Sequence, residues 1–89
     1  AQQLASAVKS ALQMADERDL LSIAFPAIST GIFGYPLAEA AHVMLEAAIV
    51  YVESGTALER IVFCLYSPSA FDAFTRALEA QVGRLLDAN

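Results

Sequence analysis

Apolar positions recur at three- and four-residue spacing near the start of the chain: Leu4, Val8, Ala11 or Leu12, and Ala15, with Gln, Lys and Asp between them. That period predicts an amphipathic helix over residues 2–17. The charged run Asp16-Glu17-Arg18-Asp19 ends it and reads as a solvated loop. Residues 21–28, Leu-Ser-Ile-Ala-Phe-Pro-Ala-Ile, are then mostly apolar. Such a run suits a strand of a parallel sheet, covered on both faces. Pro26 cannot donate to a ladder, so it belongs near the strand's end. Residues 37–53 return to helical spacing, with Ala41, Met44 or Leu45, Ala48 and Val52 as the inner stripe. Pro36 suits the first helical position, where its missing N–H would be unpaired anyway. Gly55, after Ser54, suits the helix stop. Residues 60–66, rich in β-branched and aromatic types, predict a second buried strand. Ser67-Pro68-Ser69 opens a last helix, in which Ser69 with Asp72 resembles a capping box. Phe71, Phe74, Leu78, Val82 and Leu85 are expected to form its apolar face.

The order α-β-α-β-α contains one βαβ unit over residues 22–66. It predicts two adjacent parallel strands joined by a right-handed crossover. Two strands cannot cover three apolar helices, and sheets commonly have about 4–6 strands. The rest of the sheet is therefore expected outside these 89 residues. Composition agrees, at 57% hydrophobic and 17% charged, against about 45–50% and about 25% in ordinary soluble domains. That surplus calls for a missing segment of the domain or an oligomer partner. The net charge of −5, with five scattered basic residues, argues against nucleic acid as a partner. Cys64 is the only cysteine, which fits a reducing, cytoplasmic setting. No apolar run reaches the roughly 18 residues of a membrane span, so no membrane is expected as a partner. Ala1 does not look like a natural start.

The stretch FPAISTGIFGYP, residues 25–36, leaves the first strand through a glycine-spaced loop. In open α/β sheets, ligands bind beyond the carboxyl ends of the strands. Gly31 and Gly34 allow backbone angles closed to other residues and a close approach of ligand to main chain. Successive inward N–H groups make a nest for an anion, and the following helix brings its positive end nearby. Ser29 and Thr30 add hydroxyl donors, and the loop holds no lysine. Phe33 and Tyr35 would pack on a sugar or on the next strand. Spacing alone leaves two readings open, an anion cradle or a plain βα turn whose glycines serve chain reversal.

The longer stretch SIAFPAISTGIFGYP, residues 22–36, resembles the second ligand-binding loop of macrodomains, the ADP-ribose-binding α/β/α family. RIVFCLYSPSAFDAF, residues 60–74, looks like that family's last strand and the start of its last helix. The resemblance implies a three-layer α/β/α fold, with residues 1–89 as the carboxyl half of a single macrodomain. It implies ADP-ribose as ligand, no separate cofactor, and a diphosphate wrapped by the main chain of Ser29, Thr30, Gly31, Ile32, Phe33 and Gly34. Phe33 would lie against the distal ribose and Tyr66 would pack on the adenine. From its place alone, Tyr66 could instead be a strand-end aromatic filling the sheet–helix seam. The spelling of the loop is most similar to members that remove ADP-ribose from acidic side chains or deacetylate O-acetyl-ADP-ribose. A non-catalytic module that reads ADP-ribose is the alternative, and an ADP-ribosylated protein is the implied partner.

Macrodomains are about twice this long. Their first half supplies an Asn-rich strand end, a first glycine-rich phosphate loop and usually an adenine-reading Asp. The only Asn here is Asn89. No catalytic residue is therefore assigned, and the 89 residues alone are expected to be inactive. Other chemistry lacks partners. His42 has no second His or acidic cluster at ligand spacing, so no metal site is assigned. Cys64 has no neighbouring base, and Ser29 lacks a nucleophile elbow. Glu39, Glu46 and Glu53, seven apart, read as a solvated helix face. Asp72 reads as a cap rather than a catalyst.

Overall fold

A computed structural model of the chain describes residues 2–28 and 35–87. It runs α1 (Gln2–Glu17), β1 (Ser22–Ile28), α2 (Leu37–Glu53), β2 (Arg60–Leu65) and α3 (Pro68–Asp87). This is the α/β order that the hydrophobic pattern predicts. The strands pair in parallel, Ser22 with Arg60 through Phe25 with Phe63. The register then slips, so that Ile28 faces Leu65. Three steps along β1 match two along β2, which is a bulge. Pro26 sits inside it, where a residue without an N–H costs the ladder least.

One face of this sheet carries the core. Phe25 and the flanking Ile23, Ile61, Phe63 and Leu65 pack against Leu4, Val8 and Leu12 of α1, Met44, Leu45 and Ala48 of α2, and Phe74 and Ala77 of α3. Aromatic rings link the two strands and join the sheet to α3. Phe25 and Phe63 lie 5.1 Å apart and nearly parallel, and Phe63 meets Phe74 at 5.5 Å. On the opposite face Ala24 is exposed and Val62 and Cys64 are half-exposed. Among the described residues no helix covers them, so the expected burial on both faces is met on one only.

Local chemistry sets the helix ends. Asp19, at φ 57°, closes α1. Leu20 N–H donates to the Ala15 carbonyl and Asp19 N–H to that of Asp16, the paired bonds of a left-handed helix stop. Gly55, at φ 99°, stops α2 after Ser54 as expected. Pro36, at φ −57° and ψ 152°, stands one position before the helix rather than in its first turn, and its carbonyl accepts from Ala40 N–H at 2.9 Å. The cap of α3 is Ser67, not Ser69. Its Oγ accepts from Ala70 N–H at 3.1 Å, with Pro68 as the first helical residue. Asp72 pairs instead with Arg76 at 3.0 Å.

The inner face of α3 is also rotated from expectation. Ala70, Phe74, Ala77 and Gln81 are buried, whereas Phe71 is 63% exposed and Leu78 and Val82 are more than two-fifths exposed. The Leu85 side chain lies outside what is described. Val52 of α2, expected inside, is exposed too.

Candidate functional site at the carboxyl edge of the sheet

Parallel pairing brings the carboxyl ends of both strands to one edge. Ile28 and Leu65 are register partners, so the two strands end side by side, with Tyr66 directly after β2. The helices that follow begin at Leu37 and Pro68, shortly after those ends. Each brings a first turn whose N–H groups lack helical partners. In α3 one of them, that of Ala70, is taken by Ser67. The edge thus joins two helix starts and a strand-end aromatic, an arrangement suited to anions and flat rings.

Tyr66 is 76% exposed. It does not fill the seam between sheet and helix, and its ring is free to meet a planar ligand. Tyr35, at the far end of the loop, is half-buried and packs against the core. Ser29, Thr30, Gly31, Ile32, Phe33 and Gly34 lie outside the described residues. Among the described residues, no group of three or more His, Cys, Asp and Glu is placed to hold a metal ion. No described helix is long and apolar enough to cross a membrane.

Two polar clusters escaped the sequence. At the amino edge, Asp16 Oδ2 accepts hydrogen bonds from the Tyr51 hydroxyl and from Thr56 Oγ1, the latter at 2.6 Å. Thr56 Oγ1 in turn accepts from Leu58 N–H at 3.1 Å. The bond from Thr56, then that from Tyr51, holds the Asp16 carboxyl below the ordinary carboxylate range. The same carboxylate pushes the Tyr51 phenol up, since ionising it would discard the donated bond. The three residues are 35 and 40 positions apart, so no local signal joins them.

The second cluster crosses α2 and α3. Gln81 is 1% exposed. Its Oε1 accepts from Arg84 at 2.6 Å, and its Nε2 lies 3.3 Å from His42 Nδ1. An amide nitrogen only donates, so Nδ1 is the acceptor and the ring proton sits on Nε2, facing Glu46 at 3.5 Å. His42 is thus a half-exposed helix histidine with a structural partner. The one available signal was that Gln81 lies seven residues past Phe74, two helical turns along the face expected to be inner.

The comparisons with known proteins agree with this geometry. A family model described as Macro domain matches residues 1–44. The chain is 40% identical over 78 residues to an O-acetyl-ADP-ribose deacetylase of Klebsiella pneumoniae strain 342, covering 88% of this chain and 45% of that protein. It is 40% identical over 78 residues to the ADP-ribose glycohydrolase MACROD2 of Xenopus laevis, covering 86% of this chain and 19% of that one. A macrodomain of Oceanobacillus iheyensis solved with ADP superposes with a TM-score of 0.83 at 29% identity, over 93% of this chain and 43% of that one. This chain belongs to the macrodomain family. It spans less than half the length of these macrodomain relatives. The helices and the parallel pair of strands are therefore those of a macrodomain segment.

Proposed function

We propose that this chain is the carboxyl half of a macrodomain and supplies one wall of an ADP-ribose site. The observation that supports the reading is the register of Ile28 against Leu65, which ends β1 beside the strand that runs into the exposed Tyr66. In this reading the main-chain N–H groups of Ser29, Thr30, Gly31, Ile32, Phe33 and Gly34 cradle the diphosphate. Phe33 lies on the distal ribose and Tyr66 stacks on the adenine. Relatives named as an O-acetyl-ADP-ribose deacetylase and an ADP-ribose glycohydrolase support hydrolysis of ADP-ribose esters by the longer protein. There this half would act by orientation, holding diphosphate and ribose while a positioned water meets the reacting carbon. The rest of the domain would supply the attacking machinery, so the 89 residues alone are inactive.

Calorimetric titration with ADP-ribose tests the reading. Residues 1–89 alone should give no measurable heat, and the chain extended to a full-length macrodomain should bind. In that longer protein Tyr66→Ala should weaken affinity roughly tenfold, the size of one lost base–aromatic stack. Gly31→Val should weaken it further, because a β-branched residue closes the loop's backbone angles. Unchanged affinity in both variants would remove the site from this edge. Binding without turnover of O-acetyl-ADP-ribose would leave a reader module.

A further inference from the structure

Away from the carboxyl edge, the outer sides of α1 and α2 leave a groove of about 470 Å³. Ala5 and Lys9 of α1 line one side and Val43, Glu46, Ala47 and Val50 of α2 the other. Val50 is 56% exposed. Lys9 is the only lysine of the chain, and among the described residues it makes no ion pair. Among the described residues Glu46 pairs with the half-exposed His42, at 3.5 Å.

We propose that this groove is a self-association surface whose occupant is a second copy of the chain. A protein of net charge −5 repels its own copy unless the contact pairs unlike charges. Here the unlike charges stand on the two different helices that line the groove. A two-fold axis lying along the groove seats α1 of each copy over α2 of the other. Lys9 of each then meets Glu46 of the other, twice over, which is the self-complementarity that a two-fold contact requires. The small Ala5 and Ala47 let the helices approach, and the exposed Val50 gains cover. Two helices per copy make a contact at the small end of the range for specific complexes, so the dimer is a weak one. It leaves the carboxyl edge of the sheet open and stands apart from the proposed ligand site.

Sedimentation velocity of the intact 89-residue chain over rising concentration tests this. The expected result is a monomer–dimer equilibrium. Lys9→Glu and Glu46→Lys should each weaken it roughly tenfold or more, because each turns two attractive pairs into repulsive ones. An equimolar mixture of the two variants should regain dimer, since both cross-pairs are attractive again in the heterodimer. Circular dichroism of each variant should match the parent, as both positions are exposed. A chain that stays monomeric throughout would overturn the proposal. So would association that both reversals leave unchanged, which would put the contact at the open sheet edge or face.

Discussion

The half-buried Asp16 carboxylate has a consequence for stability. Hydrogen bonds from Thr56 and Tyr51 hold its pKa low in the folded chain, so on acidification the unfolded chain takes up the proton first. Its contribution is therefore complete above the unfolded value of about 4 and fades as pH falls through the folded one. Tyr51, raised by the same contact, acts in the opposite sense. Its share is complete below about 10 and fades as pH rises through its folded pKa. Asp16→Asn should flatten the acid limb of a plot of urea midpoint against pH. An unaltered limb would show that the cluster does not close in solution. Asp19 offers a second test, with φ at 57°. Relief of a left-handed residue is worth about 1–2 kcal/mol, and added freedom in the unfolded chain takes back about 0.4–1. Asp19→Gly should therefore raise stability by about 0.5–1 kcal/mol in chemical denaturation, and a loss would contradict the helix-stop geometry.

Among the elements, α1 was fully legible because Leu4, Val8, Leu12 and Ala15 form a single stripe that is also the buried one. For α3 the apolar face is wider than the covered face. Phe71, Leu78 and Val82 lie beside Phe74 around the helix, and hydropathy cannot tell which of two neighbouring stripes meets α2. Small Ala70 and Ala77 and the polar Gln81 took the inner positions, and none of them stands out by hydropathy. Paired substitutions separate the readings. Phe74→Ala, at a position 4% exposed, should cost about 3–5 kcal/mol, much of what a small domain possesses. Phe71→Ala should stay within about 0.5 kcal/mol. The cap divides in the same way. Ser67→Ala should cost about 1 kcal/mol and Ser69→Ala close to nothing, because only Ser67 accepts from Ala70 N–H. The sequence pattern could place neither the bulge at Pro26 nor the cap to the residue, since both depend on the partner strand and on where the helix begins.

At the scale of the whole molecule, the element order and the parallel pairing were readable from the chain because a βαβ unit leaves little choice of topology. What covers the second face of the sheet was not, because the described residues contain nothing that does. Cys64 reports on that face. It alternates with Phe63 and Leu65, which pack on the helices, and it is a free thiol on the uncovered side. As the only cysteine, it gives an unambiguous signal with a chromogenic disulfide reagent. In the native 89-residue chain, labelling should approach the rate seen in denaturant. In a protein of the relatives' full length, which is about twice that of this chain, the same thiol should be protected by the second helical layer of an α/β/α domain. Protection already present in the short chain would mean that something other than the rest of the domain shields the sheet, and the expected third layer would have to be given up. Equal reactivity in both proteins would mean that the longer chain leaves this face bare, and the two-strand sheet would then be open by design rather than by omission.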